Sequence, residues 1–301
     1  TRATGVEYLH LGSTTHATAA REVILCGGAV NSPHLLLLSG IGPAAALHAL
    51  EIPVGADLPG VGSNLQDHVQ ASVIHDCTQP LSLAGAESLL NLLRFFVLGN
   101  GPYTSNVGEG GIFVKSAPEH TRPDLEIIFA PNYSMRHGFD NPPGHGYTLA
   151  ACVLRPSSRG HITLKSPDPL AAPAIQPNYL TTPEDLSLLR TGLKLARKLA
   201  AAPAFAPVRG PEVRPGPTVT SDAELEAFIR QTTETLYHPV GTCKMGNDPQ
   251  AVVDARLRVH GVTGLRVVDA SIMPTLIGGN TNAPVIMIAE KAADMIREDA
   301  A

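Results

Sequence analysis

Tryptophan is absent from this 301-residue sequence, and aromatic residues make up only 4% of it. That scarcity disfavours carbohydrate platforms and stacked-base recognition, which both rest on aromatic faces. Charge is sparse as well. The 22 Lys and Arg against 27 Asp and Glu leave a formal net charge of −5, whereas a nucleic-acid binder needs a basic surface. No run of about 18 apolar residues occurs, so no transmembrane helix is expected, while association with a membrane surface stays open. The four cysteines, Cys26, Cys77, Cys152 and Cys243, form no C-x-x-C pair, which argues against a disulfide framework and against a zinc site. No H-E-x-x-H occurs among the 12 histidines, and no metal site is expected. A dinucleotide fingerprint is missing too: Gly60-Val61-Gly62 has no third, spaced glycine after it.

Hydrophobic residues reach 44%, enough for a core, and at roughly 100–200 residues per domain the length suggests one large domain or two ordinary ones. With 28 Gly and 26 Pro, against about 12% for the two together in average usage, many loops and tight turns are expected. Residues 22–30, EVILCGGAV, read as a buried strand running into a glycine turn. The following Ser32 and Pro33 predict a helix with Ser32 as N-cap and Pro33 at its first position, ending near Gly40. DLPGVGSNLQDHV reads as a Gly-rich loop. From about 70 to 235 this punctuation disappears. HITLKS at 161–166 alternates like a half-exposed strand. Capping boxes at Thr182 and Ser221 open two helices, the first with Leu186, Leu189, Leu193 and Ala196 on one face. The Pro-rich stretch PAFAPVRGPEVRPGP between them reads as loop. Near the end, Leu265 to Val268 predicts a second buried strand finishing at Asp269, and Asn282 a helix N-cap. Since the two ends look alike, the simplest architecture is a discontinuous α/β layer with a different domain inserted.

Three segments carry candidate chemistry. In Tyr237-His238-Pro239-Val240-Gly241-Thr242, the proline biases His238 toward an extended backbone, which suits a side chain projected from a loop. In Val267-Val268-Asp269-Ala270-Ser271, an acid ends a buried strand, where α/β sheets bind ligands. In Gly278-Gly279-Asn280-Thr281-Asn282-Ala283-Pro284, a helix start offers N–H groups and a positive dipole end to negative charge. Each has an ordinary alternative: a satisfied loop histidine, a turn-forming acid, a plain Asn cap. The adjacent acid and histidine of LQDH, residues 65–68, need not face the same way and make a weak catalytic pair.

Taken together, CGGAVNSPHLLLLSGIGP, GVGSNLQDH, YHPVGTCKMG, LRVVDASIMPT and GGNTNAPVIMIAEKAADMI resemble, in order, the glucose–methanol–choline (GMC) family of flavin oxidoreductases, most of all its choline-dehydrogenase-like alcohol dehydrogenases. The resemblance is to the carboxyl-terminal half, without the family's GxGxxG segment. It implies an α/β and α+β chain: part of a Rossmann-like FAD-binding domain, residues 1–70 and 236–301, with a substrate-binding domain containing an antiparallel sheet at 71–235. It implies FAD as cofactor, a small primary alcohol as substrate, and the missing amino-terminal half as partner, as a separate chain or otherwise. His238 matches the family's active-site base, and Asn280 the second active-site position, where it would hydrogen-bond the substrate oxygen. Tyr237, Thr281, Asn282 and Pro284 would border the flavin ring. Asp269 and Ala270 would lie near the ribityl and phosphate groups, and Gly27 near the adenosine. A hydroxynitrile lyase of the same fold and a flavin-free fragment are the alternatives to alcohol oxidation.

Overall fold

The computed structural model describes residues 1–300. Contacts divide the chain into two compact units. The first comprises Thr1–Asp67, Ser158–Tyr179 and the segment from Tyr237 onward; the second comprises His68–Ser157 and Leu180–Leu236. The stretch 71–235, expected as one insertion, is therefore interrupted. Its hairpin His161–Thr163 and Ala174–Gln176 belongs to the first unit, because Ile162 is buried there and donates its N–H to the Gly62 carbonyl at 2.7 Å.

In the first unit, Val23–Leu25 and Leu265–Val267 form a parallel pair, with Leu25 opposite Val267. Val267 is fully buried, as strands of a parallel layer are when covered on both faces. The apolar material around them, including Leu36, Leu37, Leu47, Val61, Val252 and Val253, forms one cluster. Each such side chain contributes about 1.5–3 kcal/mol by leaving water.

The helix that follows Val23–Leu25 differs from the sequence expectation. It spans Gly28–Leu38, so Ser32 and Pro33 lie inside it rather than at its start. Gly28, at φ +73°, makes the sharp turn that lets the helix begin early. Pro33 has no N–H, so the helix bond that would end on the carbonyl of Ala29, four residues back, is missing. Thr242 replaces it, donating its hydroxyl to the Ala29 oxygen at 2.7 Å. A long-range partner thus satisfies a proline that local rules would have placed at a helix start.

The second unit is built on a six-stranded antiparallel sheet. Its order is Arg209–Arg214, Val69–Cys77, Gly146–Val153, Leu125–Ala130 and Gly110–Val114, with Glu234–Thr235 also on Val69–Cys77. The helix Pro183–Ala200 packs on it. As read from the sequence, Leu186, Leu189, Leu193 and Ala196 are buried. Gly192 lets this helix approach closely, since a Cβ there would stand 2.8 Å from the Ala151 side chain. Thr182 takes the N-cap position, with Pro183 in the first turn, but without a side-chain cap bond. At Ser221 the reciprocal capping box does form with Glu224. The Pro-rich stretch read as loop contains the strand Arg209–Arg214. It is an edge strand with two register shifts against Val69–Cys77, one of them spanning Pro211, and edges and bulges are places in a sheet where proline is tolerated.

The Pro33–Thr242 arrangement predicts a coupled pair of substitutions. Thr242→Val should cost about 1–3 kcal/mol by leaving a buried carbonyl unpaired. In a Pro33→Ala background, where the helix can make its own bond, the same change should cost distinctly less. Urea unfolding of the four proteins of this double-mutant cycle measures the difference.

Candidate active site

The loops that carry the candidate residues are held by one short extended segment, Asn64 to Asp67. Asn64 adopts φ +61°, a conformation asparagine tolerates better than most residues. Its Nδ2 donates to the carbonyls of Gly241 and Pro274, both at 3.2 Å. Buried Gln66 exchanges backbone hydrogen bonds with Val240, at 3.0 and 2.8 Å. Its side chain donates to the Pro274 carbonyl and accepts the Leu276 N–H, both at 3.1 Å. Asp67, also buried, accepts the His238 backbone N–H on Oδ1 at 2.9 Å and the Tyr179 hydroxyl on Oδ2 at 2.5 Å. One segment therefore fixes both the His238 loop and the loop that leads to Asn280. Behind them, Val240, Met273 and Leu276 form an apolar cluster with Val285 and Ile288 of the last helix packed against it.

His238 is half-buried. Burial, which penalises the charged ring, pulls its pKa below the usual histidine value, and the Asp67 carboxylate pulls weakly the other way. Burial thus favours the neutral imidazole, the form able to accept a proton. Tyr237, just before it, sits at φ +61° and is 64% exposed.

Asp269 ends the strand Leu265–Val267 as expected, but its carboxylate is engaged within the protein. Oδ2 accepts the Gly28 N–H at 2.9 Å and the Ser32 hydroxyl at 2.5 Å, and Oδ1 accepts the Ser271 N–H at 2.8 Å. The Gly27 N–H is likewise taken, by Ser32 Oγ at 2.9 Å. A Cβ on Gly27 would meet Asn31 and Ser32 at 3.0 Å, so this glycine is demanded by its own helix. Ala270 begins a short 3-10 turn, and its carbonyl accepts the Gly241 N–H.

The last helix spans Asn282–Ala300. Asn282 is thus its first residue rather than its cap. The cap position falls to Thr281, whose carbonyl accepts the Val285 N–H at 3.0 Å. Pro284 lies in the first turn, where a missing N–H costs nothing. Asn280, Asn282 and Ala283 are exposed. At the far end, buried Arg266 bridges Glu22 at 2.7 Å and Asp299 at 2.5 Å, so the helix is tied down at its carboxyl end while its amino end stays open.

Two family models, both described as GMC oxidoreductase, match residues 1–70 and 156–289. The chain belongs to the GMC oxidoreductase family. It is 48% identical over 302 residues to an alcohol dehydrogenase [acceptor] from Pseudomonas putida, covering 98% of this chain and 55% of that protein. It is 47% identical over 307 residues to the mitochondrial choline dehydrogenase of Homo sapiens, covering 99% and 51%. Among solved structures it is similar to an R554A variant of Aspergillus oryzae RIB40 formate oxidase, studied for FAD modification, with a TM-score of 0.91, 27% identity, and coverage of 99% and 58%. Pyridoxine 4-oxidase from Mesorbium loti gives a TM-score of 0.84 at 30% identity, covering 99% and 55%. The chain spans about half the length of the curated relatives it matches.

Sequence reasoning undervalued Asp67 and did not single out Tyr179, Asn64 or Gln66. The signal was present in the run of polar residues inside GVGSNLQDH, but their partners lie 112 to 210 residues away and only the fold supplies them. The Asp269 arrangement generates a direct test. Asp269→Ala strands two backbone donors and a hydroxyl together, and should lower stability by about 3 kcal/mol. Thermal unfolding should show this loss, and an unchanged midpoint would mean that the three bonds are not formed in solution.

Proposed function

We propose that this chain is part of an FAD-dependent GMC enzyme that oxidises a primary alcohol to an aldehyde, with His238 as base. The first unit is the FAD-binding part and the second the substrate-binding part. The observation that carries this reading is the placement of His238: its backbone N–H is held by the buried Asp67 carboxylate, on a loop packed against the start of the last helix.

The residues present fit the cofactor. Gly28 and Gly279 have nothing within 4 Å of where a Cβ would stand, so backbone is open to close approach at both turns. At the start of the last helix Asn282 and Ala283 are exposed, and Thr281 beside them is buried. Tyr237, Thr281, Asn282 and Pro284 would hold the ring. Asp269 would contribute through its backbone, together with Ala270, because its carboxylate is already committed, and Gly27 would serve as bare wall. FAD, when bound, supplies the hydride acceptor. His238 takes the hydroxyl proton onto its imidazole, and the Asn280 amide donates to the substrate oxygen as its charge develops. The proton removed by His238 and the hydride leaving the carbon together account for the two hydrogens lost by the alcohol.

The first unit also exposes Ile24 at the strand and Ile286 and Met287 on the last helix. A two-stranded parallel sheet is rarely left alone. These surfaces support the remainder of a full-length GMC protein, its amino-terminal half, as the partner that packs there.

In the flavin-loaded protein, His238→Ala should slow anaerobic flavin bleaching by a primary alcohol by about 10²–10⁴-fold with flavin content unchanged. In the wild type the bleaching rate should rise with pH and level off above a pKa lower than about 6.5, because the working form of His238 is the neutral one. Bleaching by His238→Ala at the wild-type rate removes the histidine from the reaction. A flavin that stays yellow under alcohol while the protein cleaves cyanohydrins would replace oxidation with lyase chemistry.

A further inference from the structure

We propose that Asp67 is the positioning residue of His238 and that Tyr179 holds Asp67 in that role. The inference rests on the reading of His238 as base and assigns the groups that aim it. The backbone just ahead of His238 is one that relaxes easily if released. Tyr237 sits at φ +61°, a left-handed conformation that is unfavourable for a bulky residue and persists only where the surroundings impose it. Two contacts impose it. On one side, Gln66 and Val240 form an antiparallel bridge with both hydrogen bonds made, at 3.0 and 2.8 Å. On the other, the Asp67 carboxylate takes the His238 N–H at 2.9 Å, where a continuing strand would have used a main-chain carbonyl. His238 is thereby gripped between residues 66 and 67 of one segment.

The carboxylate itself has little freedom. It is 6% exposed, and its second oxygen receives the Tyr179 hydroxyl at 2.5 Å, a charge-assisted bond of the stronger kind. To turn away from His238, Asp67 would have to surrender Tyr179 as well. Tyr179 comes from the end of Ser158–Tyr179, so the return of that segment to the first unit has a use: it delivers the phenol that orients the carboxylate. The same negative charge opposes the effect of burial on the imidazole, so Asp67 also sets how far the pKa of His238 falls. Asp67, the Tyr179 phenol and the exposed Tyr237 are among the charged and titratable groups of this arrangement.

Three substitutions separate these roles. Asp67→Asn keeps an oxygen for the His238 N–H and removes the charge. Asp67→Ala removes both. Tyr179→Phe frees one carboxylate oxygen. Histidine-labelled protein is titrated by NMR to read the His238 ring directly, and flavin reduction by a primary alcohol is followed against pH in the flavin-loaded protein. In Asp67→Asn the ring should titrate at a lower pKa than in the wild type, and the rate profile should move the same way with most of the plateau rate kept. In Asp67→Ala the plateau should fall by about 10–100-fold with KM and flavin content little changed. Tyr179→Phe should lie between Asp67→Asn and wild type. An unshifted His238 ring in Asp67→Asn, or equal losses in the Asn and Ala variants, overturns the assignment. Should His238→Ala keep the wild-type rate, the base assignment fails on its own, and the NMR titration still decides whether Asp67 sets the state of the ring.

Discussion

A single buried carboxylate decides that the two ends of this chain form one unit. Asp269 stands where the strand Leu265–Val267 ends, and the helix Gly28–Leu38 starts against it, 241 residues away in sequence. A charge removed from water is tolerated only with a full set of donors. Asp269 finds them in Gly28, Ser32 and Ser271. The parallel pairing of the two strands brings these groups within reach, and the carboxylate in turn fixes where the helix begins. The early start then places Pro33 inside the helix, which requires Thr242, and Thr242 lies four residues past His238. The fold of the first unit and the placement of its candidate base are thus linked through one chain of hydrogen bonds.

The same carboxylate divides the labour between two helix starts. Both the Gly28 and the Asn282 helices carry a positive dipole end and first-turn N–H groups without helical partners. At Gly28 that potential is spent on Asp269, and what remains is a structural joint. At Asn282 the first residues are exposed, and the helix is anchored at its far end through Arg266 and Asp299. This asymmetry gives the GGNTNAP loop, rather than the glycine pair at 27–28, the better claim to a ligand.

Much of this was legible in the sequence, and the misses share one cause. Both strands of the parallel pair, the leucine face of the Pro183–Ala200 helix and the Ser221 capping box follow from short-range pattern, which the structure keeps, except that Val23–Leu25, expected to be buried, leaves Ile24 exposed at 40%. Ser32-Pro33 follows the rules for a helix start equally well and is not one, because Asp269 and Thr242 supply, from over 200 residues away, the partners that let the helix begin earlier. The strand Arg209–Arg214 hides behind its prolines, since an edge position excuses what a central strand could not accept. The site divides in the same way. His238 and the Asn280 loop stand out through motif, whereas Asp67 does not, because a carboxylate beside a histidine in sequence says nothing about a second histidine 171 residues further on.

That distance matters for how the candidate base works. An imidazole in a loop has two easy fates: exposed, where it titrates in the ordinary range and points in many directions, or buried, where it loses its charge and its motion together. His238 takes neither course fully. Burial lowers its pKa, and the neighbouring carboxylate limits the fall, so the neutral ring is favoured without the full loss of basicity that burial alone would bring. The carboxylate that provides this balance reaches the loop through a main-chain hydrogen bond, so orientation and basicity are set by one group. Had Asp67 been exposed, solvent would have screened its charge and freed its side chain, and both effects would weaken together. The Tyr179 bond that keeps it buried and aimed is therefore as much a part of the arrangement as the histidine.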